Sequence, residues 1–567
     1  MKCLFNSTIS RFLLLPTLLV GCTTVGPRHA VVRNAPAQSI PVEQDLLAQM
    51  MGGEFALVRS DVPSAAQRYA SAAALSQDAA IAEQATRLAL AAHDYALARR
   101  GLQRWRALGG NDSGLLQVEA SLALSDNNAA SSMKALAALL QLPQSQGWRL
   151  LGQVLLSAQD KAAAGDLLQR LATPAALAGT PEEIWVAMSQ LAYKLDHKAW
   201  AHTLADAALA KFSGSASFTW SAQLAVDDGD KAKARGLYAD AIKRVPKDIR
   251  LRAGYALLLG EQGENLAAAR VLAEGPQDDY SYAARAAYAA RVKDKSLLQT
   301  LYKELKSQPE EDRIARAHLL GQVAELLEEN DAALTWYQQA EVDSLHWFDA
   351  QMRIVVLLDG QAKHDQAQSL VHELQARSGD DPRQLVDVFL LEGELLLRND
   401  RHDAAVEAYT RGLAALPDDI RLLYARALLA ANIERSSEAE RDLRRVLALK
   451  PGDFDAMNAL GYTLADSNQK LDEALGLIEV ALKNKPEEPA VIDSFGWVQF
   501  RLGHLDEAEQ ALRRAYAKQD DAEIAAHLGE VLWQRGNHDE ARRIFEQARK
   551  KDAKNKSLLK TLQRLGV

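Results

Sequence analysis

The feature that most constrains this chain is a spacing. Near the C-terminus, Phe495-Gly496, Gly503, Asp506-Glu507-Ala508, Leu512 and Ala515 recur 33 residues later as Leu528-Gly529, Gly536, Asp539-Glu540-Ala541, Phe545 and Ala548. Upstream, Leu460-Gly461, Asp472-Glu473-Ala474, Ile478, Ala481-Leu482 and Pro486 keep the register with one residue inserted. Ala427, Ala439, Leu443 and Pro451 continue it, then Gly393, Ala405, Tyr409 and Pro417, and farther back Leu320-Gly321, Ala333, Tyr337 and Ala340. Each unit carries two apolar stripes at i, i+3, i+4, i+7 and so reads as two helices of about 12–14 residues. Two helices cannot bury their apolar faces alone, so such units must stack on their neighbours.

The small residues in the pattern have mechanical reasons. Gly496 and Ala508 fall where antiparallel helices cross, and only a minimal side chain lets the backbones approach. Gly503 and Gly536 sit just past a first helix, where a left-handed cap suits glycine. Pro417, Pro451 and Pro486 stop the second helix. The pattern closely resembles the tetratricopeptide repeat, which implies an all-α superhelical solenoid whose neighbour-only stacking also allows a spiral or ring. Faint echoes run through the N-terminal half: Gly53, Ala65, Tyr69; Gly152, Ala164, Leu168; Ala222, Ala234, Tyr238. Thr86, Ala98 and Leu102 keep the step but put Thr where Gly or Ala belongs, and Trp185, Ala201 and Ala205 keep it more weakly. At about 34 residues per unit, ten to fourteen helical pairs are expected. Residues 43–310 read as degenerate repeats and 311–567 as regular ones. Composition agrees, since Gly and Pro together are 48 of 567 residues and strong helix formers dominate.

The first 42 residues are an address. Lys2 and Arg11 precede a nine-residue apolar run, Phe12 to Val20, too short to span a bilayer, so 1–21 reads as a signal peptide. Leu19-Val20-Gly21-Cys22 resembles a bacterial lipobox. That resemblance implies cleavage before Cys22, lipidation of Cys22 and, with Thr23 rather than Asp next, sorting to the outer membrane facing the periplasm. Residues 22–42, with Pro27, Pro36 and Pro41, read as an extended tether. Removing the leader takes the net charge from −9 to −11, which argues against nucleic-acid binding. The two cysteines, Cys3 and Cys22, both precede the folded body, which therefore has no disulfide framework or thiolate site.

No reaction chemistry is legible. His372-Glu373-Leu374-Gln375-Ala376 begins like a zincin helix but has Ala376 where the second His is needed, so no metal is expected. His504 and His538 occupy turn positions, and Gly109-Gly110-Asn111-Asp112 and Gly260-Glu261-Gln262-Gly263 read as turns lacking phosphate-loop chemistry. Acid pairs such as Asp506-Glu507 recur as repeat punctuation, and no catalytic residue or cofactor is expected.

What remains is a binding surface. In the resembled family, first helices line the concave face. Matching positions here are Arg421, Tyr424, Asn458, Tyr462, Asp493, Trp497, Phe500, Glu523, Glu530 and Trp533. Aromatics among acids suit an extended or helical polypeptide of basic character, while Trp497 and Trp533 could equally pack between helices. Residues 41–58 could form a partner-docking helix or the first helix of the solenoid.

Asn458–Asp466, Asp493–Val498 and Ala525–Trp533, together with the lipobox, resemble the outer-membrane tetratricopeptide lipoproteins of proteobacteria. That group includes the adaptor of a periplasmic carboxyl-terminal processing protease. The resemblance implies a non-enzymatic scaffold that joins the protease to peptidoglycan hydrolases and promotes their proteolysis. The alternative is an assembly lipoprotein: a pilotin, or an activator of peptidoglycan synthesis or polysaccharide export.

Overall fold

The computed structural model describes residue 41 and residues 44–567 except 111, 127 and 144. The expected leader, the lipidation residue Cys22 and the tether up to residue 42, Pro41 excepted, lie outside the described residues. Among the described residues are 33 α-helices and no strand. Thirty helices pair into fifteen hairpins, from Leu46–Val58 with Val62–Leu75 to Ala522–Gln534 with His538–Lys551. The other three are Pro174–Leu177, Glu310–Ala315 and the final Lys556–Leu565. The fold is the expected all-α tetratricopeptide solenoid, with more pairs than the ten to fourteen anticipated. Short degenerate hairpins account for the excess, such as Gln146–Leu156 with Lys161–Leu171 at 11 residues per helix.

The chain packs as two compact units, one ending at Val245 and one beginning at Pro246. The first has an apolar core around Tyr69, Leu102 and Trp105 and another around Trp148, Leu168 and Trp185. The second is cored successively by Leu301, Leu320 and Tyr337, then Phe389, Leu443 and Ile478, then Leu528, Val531 and Phe545.

Local rules explain the hairpins. Asp side chains cap many helix starts, as when Asp453 accepts from the Ala456 amide at 3.0 Å and satisfies an otherwise orphaned donor. Gly503 and Gly536 close their first helices at φ +89° and +84°, the left-handed turn expected of them. Elsewhere Glu434, Asn468 and His93 occupy the same turn without glycine's freedom.

The small position of the first helix makes room for the large position of the second. A Cβ on Gly529 would stand 2.2 Å from the Phe545 ring, and one on Gly496 2.6 Å from Leu512. Thr86 breaks this rule, and the structure restores it from the other side. Gly101, on the facing helix, would put a Cβ 2.5 Å from the Thr86 hydroxyl, which itself donates to Ala82 O at 2.6 Å. The weak register near Trp185 has its own cause. The inserted turn Pro174–Leu177 docks through Leu177 O, which accepts from Trp185 Nε1 at 2.9 Å.

Candidate functional site

Four first helices of the second unit carry the candidate binding residues: Ile420–Asn432, Phe454–Asp466, Pro489–Leu502 and Ala522–Gln534. Their corresponding positions come one repeat apart, so side chains on successive helices form a ladder. That ladder turns inward. Asp493, Trp497 and Glu530 are each 6% exposed or less.

At its centre is His527, which lies in the Ala525–Trp533 stretch and was not among the candidate binding residues. His527 Nδ1 lies 3.0 Å from both carboxylate oxygens of Asp493. Its other nitrogen, Nε2, lies 3.4 Å from the Tyr462 hydroxyl, which donates to Glu523 Oε1 at 2.8 Å. The Trp497 ring stacks on the imidazole, centroids 4.2 Å apart at 22°, and Phe500 stacks on Trp497 at 5.2 Å. Burial opposes a charged imidazole, but the Asp493 carboxylate outweighs it and pushes the His527 pKa up to about 9. Burial also raises the Asp493 carboxyl above its ordinary value, with His527 opposing that rise, so the two titrate as one coupled pair. Burial, and then Glu523, hold the Tyr462 phenol well above its ordinary range, so it remains a donor. A usable signal existed in the sequence: Asp493 and His527 stand 34 residues apart, acid and imidazole in one register.

The final helix closes this cluster. Ser557 Oγ donates to Glu523 at 2.9 Å, and Arg564 pairs with Glu530. Lys560 Nζ reaches Glu434 at 2.6 Å and Lys556 Nζ reaches Asn432 Oδ1 at 3.3 Å, both at the turn ending Ile420–Asn432. Leu558 and Leu562 on the same helix bury into the apolar core. Asn458 Oδ1 and Trp497 Nε1 are buried without a hydrogen-bond partner among the described residues.

The remaining candidates stay within reach of solvent. Arg421 is exposed and pairs with Asp387, and Tyr424 is half-buried. Phe500 and Trp533, both half-buried, fringe the same apolar cluster. Trp533 is met edge-on by His538 at 4.2 Å and covered by the Arg542 guanidinium at 5.3 Å. The structure thus joins Tyr462, Asp493, Trp497, Phe500 and Glu523 around His527, while Glu530 turns to Arg564. Arg421 makes its pair elsewhere.

His504 takes the expected turn position, its Nδ1 2.7 Å from Gln499 Oε1, whereas His538 is the first residue of the helix His538–Lys551, where its ring meets Trp533. His372 is exposed, its Nε2 3.9 Å from Glu392. No group of three or more His, Cys, Asp or Glu among the described residues could hold a metal ion. No helix among them is long and apolar enough to cross a membrane.

Residues 424–489 and 494–556 match the family described as tetratricopeptide repeat. The TPR repeat-containing protein PA4667 of Pseudomonas aeruginosa is 38% identical over 211 residues, 37% of this chain. That match spans only about a third, 35%, of the relative's length. Among solved structures, a thermophilic TPR protein of Thermus thermophilus is similar at 25% identity and TM-score 0.28, covering 32% of this chain and 98% of its own. The Cut9–Hcn1 tetramer of the APC/C is similar at 13% identity and TM-score 0.32, covering 91% of this chain and 96% of that one. Tetratricopeptide repeats suggest a protein-interaction scaffold, and such a solenoid is typically non-catalytic.

Proposed function

We propose that this tetratricopeptide-repeat protein is a scaffold, anchored through lipidated Cys22 to the periplasmic side of the outer membrane. In this reading it holds a carboxyl-terminal processing protease beside its peptidoglycan-hydrolase substrates. The observation that carries the binding role is the aromatic rim of Phe500 and Trp533, half-buried beside a cluster in which His527 pairs with Asp493 and Tyr462 with Glu523. A partner polypeptide can cover such a rim without breaking the buried network, and aromatic anchors of this kind dominate interface energetics. The protease and the hydrolases are supported by the lipobox and the motif resemblance. A scaffold of this kind acts by proximity, since co-binding raises local concentration to roughly millimolar values.

Photo-reactive residues at Phe500 and Trp533 test the reading in living cells. Crosslinks to a periplasmic processing protease or to wall hydrolases are expected, and deletion of the gene should let the hydrolases accumulate. Capture of export or pilus machinery instead, with hydrolase levels unchanged, would transfer the protein to the assembly-factor class.

A further inference from the structure

The first helix, Leu46–Val58, shows two apolar faces. One packs on Val62–Leu75 through Gln49, Gly53 and Ala56, where Gly53 admits the Tyr69 ring. The other faces solvent: Leu47 is 65% exposed, Met51 48%, Phe55 60% and Val58 84%. Steps of four, four and three residues place these side chains in one stripe along the helix. Arg59 follows the stripe, exposed, and with Arg68 borders a shallow cleft that also includes Phe55 and Val58.

We propose that this face lies on the membrane surface, with the stripe in the headgroup–acyl boundary and Arg59 at the anionic headgroups. The inference rests on the anchor reading, because it takes Cys22 as the point of attachment. Asp45, which caps the helix, is 23 residues beyond Cys22. A chain of that length spans at most about 80 Å even when fully extended. The first described helix is therefore held close to a bilayer, and the tether adds to whatever affinity the stripe has for that surface. Leu, Met, Phe and Val supply the apolar face of such an interface, with Arg59 at its edge, and the exposed Glu54 beside the stripe accepts from the Tyr69 hydroxyl. One stripe of four side chains falls well short of the about 800 Å² per partner that a stable protein interface buries. A bilayer needs no complementary shape.

The test uses residues 22–567 with Cys22→Ser, produced without the leader, in flotation with vesicles of phosphatidylethanolamine and phosphatidylglycerol. The unlipidated chain should co-float. Leu47→Ser with Phe55→Ser should cut the bound fraction at least fivefold, Val58→Ser alone should cut it measurably, and Leu47→Ile with Phe55→Leu should retain it. All four positions face solvent, so unchanged circular dichroism is expected. Absence of flotation overturns the proposal, as does flotation indifferent to these changes. So does a dimer in sedimentation that the same substitutions dissolve. Mass analysis of the N-terminal fragment of the native protein reads the anchor separately. An unmodified Cys22 with intact flotation overturns the anchor alone, and a lipidated Cys22 with no flotation overturns the surface contact alone.

Discussion

Lys560 lies 2.6 Å from Glu434, a residue 126 positions earlier in the chain. Between them run three complete hairpins, so the final helix touches both the last repeat and the turn at which the fourth repeat from the end reverses. Both partners are well exposed, and an exposed pair is a register device more than a source of stability. Lys560→Glu should speed amide exchange across 556–565, and Lys560→Glu with Glu434→Lys should restore slow exchange. Exchange unaffected by the single reversal would show that the contact does nothing in solution.

The buried imidazole gives a pH signature with a definite sign. His527 is raised from 6.5 to about 9, so its stabilisation is fully present below pH 6.5 and is lost as pH climbs through 9. Thermal denaturation should show a melting temperature that falls between pH 6.5 and 9.5, and this slope should flatten in His527→Gln. An unaltered slope in that variant would assign the pH response to other groups.

Helix crossings supply a third prediction, readable as coupling. Gly529→Ala drives a methyl into Phe545 and should cost about 1–3 kcal/mol in urea denaturation. Gly101→Ala should cost a similar amount against Thr86, and most of it should return when Thr86→Ala is added. Additive losses at 86 and 101 would mean that the two helices do not limit each other's approach there.

At the candidate interface, position should separate binding from folding. Trp533→Ala and Arg421→Ala should weaken partner capture with little change in melting temperature. Trp497→Ala should lower the melting temperature through a cavity cost of about 3–5 kcal/mol. Capture unchanged by Trp533→Ala in a stable chain would move the interface elsewhere.

Much of the fold is legible because the repeat writes its mechanics into single residues. Gly496 states a crossing and Gly503 a turn, each where it was read, and Ala508, read at the same crossing as Gly496, is fully buried. Thr86 was legible only as a departure. Its compensation by Gly101 depends on which residues two helices bring opposite each other, and no periodic pattern contains that. The inward turn of Asp493 and Trp497 was hidden for the same reason. Position within a repeat says which side of its own helix a residue occupies. Whether that side is open depends on the helices beyond, here Ala522–Gln534 and Lys556–Leu565. His527 carried a signal in its 34-residue distance from Asp493, but the signal becomes chemistry only when the two helices lie side by side.

The fastening of Lys556–Leu565 to Asn432 and Glu434 bears on how this end of the molecule comes apart. A linear array normally frays, shedding modules from an unattached terminus one after another. Here Lys556–Leu565 also touches a repeat well inside, so its release frees the turn after Asn432 as well as the last repeat. Amide exchange across 556–565 and across 432–435 should therefore rise together, and unequal protection would show that the two open independently.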